Sequence, residues 1–109
     1  MDKLGAKVLK HWDIMISWAE KQPKRKEVFQ PDMINDTGHV WGASDCPWCE
    51  RYGINGCVGC PMETQYNPYH KRQMACDKAG YYKVGNTDTW GEWVKAAKKF
   101  RKKIKKAIG

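Results

Sequence analysis

Apolar residues recur at three- and four-residue intervals near the start of the chain. Leu4, Val8, Trp12, Met15, Ile16 and Ala19 fall on one side, while Lys3, Lys7, Lys10, Glu20 and Lys21 fall mostly on the other. That period predicts an amphipathic helix over residues 3–21, with Trp18 placed to widen its apolar stripe. Pro23 stops the helix, because it lacks a donor and disfavours helical geometry in the residue before it. A second stripe, Trp90, Trp93, Val94, Ala97, Phe100, Ile104, Ala107 and Ile108, predicts a C-terminal helix within residues 88–109. Thr89-Trp90-Gly91-Glu92 in front of it reads as a capping box, with Thr89 as N-cap and Glu92 reaching back.

The middle of the chain lacks such a period. Residues 22–38 read as loop, with Gln30-Pro31-Asp32 as a turn signal. His39-Val40-Trp41 and Tyr81-Tyr82-Lys83-Val84 read as short strands, and Asn67-Pro68 as a turn. With 109 residues the expectation is a single domain. Leu, Ile, Val and Phe are scarce, and six Trp and five Tyr carry much of the apolar area. A few aromatic residues can organise a small core, and a metal staple would support one this thin.

The charge is uneven. Net charge is +8, from 20 Lys and Arg against 12 Asp and Glu. Lys95, Lys98, Lys99, Arg101, Lys102, Lys103, Lys105 and Lys106 include no acid among them, and outside this run bases and acids balance. Seven lysines project opposite the apolar stripe of the C-terminal helix, and Arg101 alone falls inside the stripe, where its stem can snorkel outward.

Four of the five cysteines fall in two tight pairs, Cys46-Pro47-Trp48-Cys49 and Cys57-Val58-Gly59-Cys60. Each Cys-x-x-Cys can grip adjacent corners of a tetrahedral ion, and two close the shell. The reading is one structural Zn2+ drawn from Cys46, Cys49, Cys57, Cys60 and Cys76, with Cys76 able to replace Cys57. His39 and His70 are further donors, more simply read as locally hydrogen-bonded histidines. The gap between the pairs is shorter than that of a zinc ribbon, so both must share one compact loop.

Other readings of the cluster stay open. Cys60-Pro61 has the cysteine-proline end of a ferredoxin run without its spacing. Cys46-Pro47-Trp48-Cys49 looks like a glutaredoxin-type tetrapeptide, but no buried strand precedes it. Four thiolates leave no open coordination position, and no metalloprotease, triad or nucleotide-loop pattern is present, so the expectation is a protein that is not an enzyme.

The lysine face predicts an anionic partner. Lys95, Lys98, Lys99, Lys102, Lys103 and Lys106 are the candidate phosphate contacts, assisted by Lys24, Arg25 and Lys26. Lysine in place of arginine suits phosphate neutralisation rather than base-edge reading. The alternative is an acidic protein surface. The first residues carry no signal-peptide pattern and no segment is apolar enough to span a bilayer, so a cytoplasmic location is expected.

The run Cys46-Pro47-Trp48-Cys49 … Cys57-Val58-Gly59-Cys60-Pro61 with a later Cys76 resembles small cysteine-rich proteins of tailed bacteriophages, over roughly residues 41–82. Those proteins share no common activity. The resemblance implies a phage-like accessory protein in host cytoplasm and a role for Cys76 beside the other four cysteines. The resulting expectation is a small α+β or mostly α fold, in which N- and C-terminal helices pack over an irregular zinc-stapled loop region. Residues 1–109 would form a single zinc-binding domain that contacts nucleic acid or, alternatively, inhibits or adapts a host enzyme.

Overall fold

A computed structural model gives the fold and describes residues 3–41, Pro47 and residues 80–108. Among the described residues the helices with stated bounds are, in chain order, α1 Lys3–Glu20, α2 Gln30–Thr37, α3 Tyr81–Gly85 and α4 Trp90–Ile108. The described residues are therefore mostly helical. The expected strands at 39–41 and 81–84 are not there. Residues 39–41 run without regular structure, and residues 81–84 belong to α3. The sole bridge among the described residues is an isolated pair, Glu27 with Thr89.

α1 and α4 pack along their apolar stripes. Val8, Trp12, Met15, Ile16 and Ala19 of α1 are buried with Trp90, Trp93, Ala97, Phe100 and Ile104 of α4. The rings interlock. Trp12 stacks on Trp93 with centroids 6.2 Å apart and meets Phe100 edge-on at 5.0 Å. Trp18 widens the α1 stripe as its position predicts, meeting Trp90 edge-on at 4.9 Å. Its indole N–H donates to the Asp36 carboxylate at 2.9 Å, which ties α2 to α1. Trp41 packs on Trp93 from the side at 5.4 Å. Arg101, the base inside the apolar stripe, reaches out to Asp13 of α1 through both Nε and Nη2. A half-exposed pair of this kind contributes at most about 1 kcal/mol.

α2 replaces part of the loop expected over residues 22–38. Gln30-Pro31-Asp32, read from sequence as a turn, is its first turn. Proline is tolerated there because that position has no intrahelical donor to lose, and Asp32 suits the helix dipole. Gly38 ends α2 at φ +74°, its N–H donating to the Ile34 carbonyl at 2.9 Å. A Cβ at Gly38 would meet nothing within 4 Å. The cost of Gly38→Ala is then backbone strain alone, expected at about 1–2 kcal/mol in urea unfolding. A loss under about 0.3 kcal/mol would show that the left-handed turn is dispensable.

α3 wins over a strand because one helical turn buries Val84 completely against the core. Tyr81 then sets its ring beside Phe100 at 5.6 Å and donates its hydroxyl to the Trp41 carbonyl. Strand propensity in Tyr and Val is a weak preference that packing overrides.

Candidate nucleic-acid interface

The lysine face is built by the same period that builds the core. Once Trp93, Ala97, Phe100 and Ile104 face α1, residues half a turn away must face solvent. Lys95, Lys98, Lys99, Lys102, Lys103, Lys105 and Lys106 are all exposed. Lys98 is drawn to Glu20 of α1 at 3.3 Å. Lys95, Lys99, Lys102, Lys105 and Lys106 have no ion-pair partner among the described residues. Five cation pairs sit four residues apart along the helix, counting Arg101 with Lys105. Each costs about 0.2–0.5 kcal/mol at low salt, so the face holds repulsion that a bound polyanion would relieve.

The start of α4 is closed. Thr89 Oγ1 accepts from the Glu92 N–H at 3.3 Å, as the capping box predicts. The returning Glu92 carboxylate takes the Asp88 N–H at 3.2 Å, one residue earlier than a standard box. The Trp90 and Gly91 amides donate to the Lys26 and Lys24 carbonyls, each at 3.0 Å. Trp93 N–H already bonds the Thr89 carbonyl at 2.9 Å. These amides are satisfied, so anion binding at this helix has to come from side chains.

Lys24, Arg25 and Lys26 are exposed and lie against that same helix start. Lys26 faces Asp32 at 3.7 Å. The sequence singled out these three bases but could not show their contact with α4, which depends on residues more than sixty positions apart. The available signal was Gly91, a glycine in the first turn of a helix, where it loses stability unless something needs the space.

Cys46, Cys49, Cys57, Cys60 and Cys76 lie outside the described residues, as does His70. Among the described residues no group of three or more His, Cys, Asp or Glu is placed to hold a metal ion. His39 has a partner of its own. Its Nδ1 lies 2.8 Å from Nδ1 of buried His11, so one ring donates and the other accepts. Sequence reasoning overlooked His11, which shares the buried side of α1 with Val8 and Trp12. Thr37 fixes the neighbouring backbone, its Oγ1 accepting from the His39 N–H at 3.0 Å.

Among the described residues no helix is long and apolar enough to cross a membrane. Compared with protein-family models, curated proteins and solved structures, the chain matches none.

Proposed function

We propose that this chain is a small non-enzymatic module that binds nucleic acid through the lysine face of α4, with weak sequence preference. The observation that carries the reading is the division of labour on that helix. Its apolar side is consumed by the core, while seven lysines stand exposed with no acid after Glu92 in the helix. Folding alone does not call for them, because a solvated helix face of mixed sign would avoid the repulsion. Lysines neutralise phosphates without reading bases, so mixed-sequence and scrambled probes should bind alike. The test is direct binding of the purified protein to labelled duplexes of unrelated sequence. Equal affinities support the reading. Absence of binding, with capture of an acidic host protein instead, would favour an adaptor or inhibitor.

The cysteines would supply a structural Zn2+ held by four of Cys46, Cys49, Cys57, Cys60 and Cys76. The support is their paired spacing and the chemistry of thiolate donors. A structural zinc contributes folding energy outright. Native mass spectrometry should find one zinc per chain. Chelation should then lower the melting temperature by more than 10 °C, about what a few kcal/mol produces in a domain of this size. No bound metal, or an iron–sulfur mass, would contradict this part. The lysine reading does not depend on it, nor on the resemblance to phage proteins.

A further inference from the structure

The basic turn at residues 24–26 and the lysine row of α4 are joined by a specific contact. At about 100° per residue, Gly91, Lys95, Lys98, Lys102 and Lys106 fall within an arc of about 80° on α4. The row thus carries a cation at nearly every turn except its first, where Gly91 has no side chain. What lies over Gly91 is Lys24. A Cβ on Gly91 would stand 3.0 Å from the Lys24 carbonyl oxygen and 3.2 Å from the Lys24 Cβ. The turn is clamped there by Gly91 N–H to Lys24 O, Trp90 N–H to Lys26 O and Val28 N–H to Asp88 O. Lys24, Lys95 and Lys98 then border one groove of ≈ 480 Å3, with Ala19, Glu20 and Trp90. The acids bordering it are engaged, Glu20 with Lys98 and Glu92 with the Asp88 amide.

Resting on the nucleic-acid reading, we infer that Lys24 is the first member of the α4 cation row and that the row lies along the phosphate backbone of a duplex. From the level of Gly91 to Lys106 the row spans about 22 Å at 1.5 Å per residue. That length is enough to reach several phosphates of a duplex, which carries one charge per about 1.7 Å of axis over its two strands. Judged on the described residues of the row, a duplex fits better than a single strand, because single-strand sites stack bases on exposed aromatic rings. Trp90, Trp93 and Phe100 of α4 are all buried, and exposed Phe29 precedes α2 rather than lying on the row.

The experiment is fluorescence anisotropy of a labelled mixed-sequence 20-base-pair DNA duplex across a salt series. Lys24→Gln should reduce the slope of log K against log salt by about 0.9 and weaken binding about 8-fold at 0.1 M salt. Gly91→Ala changes no charge, yet it should weaken binding several-fold by pushing Lys24 off the row. Circular dichroism of both variants checks that they stay folded. Lys10→Gln, on the α1 side opposite the core, removes the same charge and should leave the slope unchanged. Unchanged slopes in Lys24→Gln alongside a reduced slope in Lys99→Gln would overturn the extended row and leave the α4 interface standing. Tighter binding to single-stranded DNA of equal length would overturn the duplex assignment. If the wild type binds neither, the functional reading itself fails.

Discussion

Replacing Lys95, Lys99, Lys102 and Lys106 together with glutamine lowers affinity for a mixed-sequence duplex by about 4 × 10³-fold at 0.1 M salt, while the protein stays folded. The size follows from counterion release, in which each phosphate neutralised adds about 0.9 to the log–log salt dependence. Four contacts therefore carry more than three powers of ten at that salt concentration. Folding survives because all four side chains are exposed and have no ion-pair partner among the described residues. Their removal also eases repulsion along α4, so the melting temperature should hold or rise. Anisotropy and thermal melts together check both halves. A variant that binds like wild type would move the interface off α4. A variant that melts much earlier would show the lysines to be structural.

Trp93→Ala should cost about 3–5 kcal/mol of stability, the range for removing a large buried aromatic. A domain of this length has roughly 5–15 kcal/mol in total, so the loss is a large part of it. Trp93 is fully buried and touches three other indoles, Trp12, Trp41 and Trp90. Trp93→Phe should recover most of the loss. It keeps an aromatic ring in the cluster and removes a buried indole N–H that has no hydrogen-bond partner. Urea unfolding of the two variants decides it. Equal losses would mean that the cluster needs the indole itself rather than its bulk.

The two long helices were legible because burial imposes a period. Val8, Trp12, Met15 and Ala19 announce α1, and Trp93, Ala97, Phe100 and Ile104 announce α4, whatever else the chain does. Arg101 inside the stripe reaches outward as its long stem allows, and its partner Asp13 lies across the helix pair. α2 was misread because Pro31 marks both turns and first helical turns, and the decision rests on Met33 being buried. Tyr81 and Val84 suggested a strand, but a strand needs a neighbour to pair with, and among the described residues only the isolated Glu27–Thr89 bridge is present. The lysine face could be read from spacing alone. Its extension through Lys24 could not, because the clamp over Gly91 joins segments that no local pattern relates.

The central claim is that the exposed lysines of α4 neutralise nucleic-acid phosphates. Its most direct test is the salt dependence of wild-type binding to a mixed-sequence duplex, from 50 to 300 mM salt on the order of a sixfold range. Six α4 lysine–phosphate contacts predict a log–log slope of about −5, and a Lys24 contact would add about 0.9 to its magnitude. A slope near zero, or no binding at the lowest salt, would contradict the account and leave the cations of α4 without a nucleic-acid role.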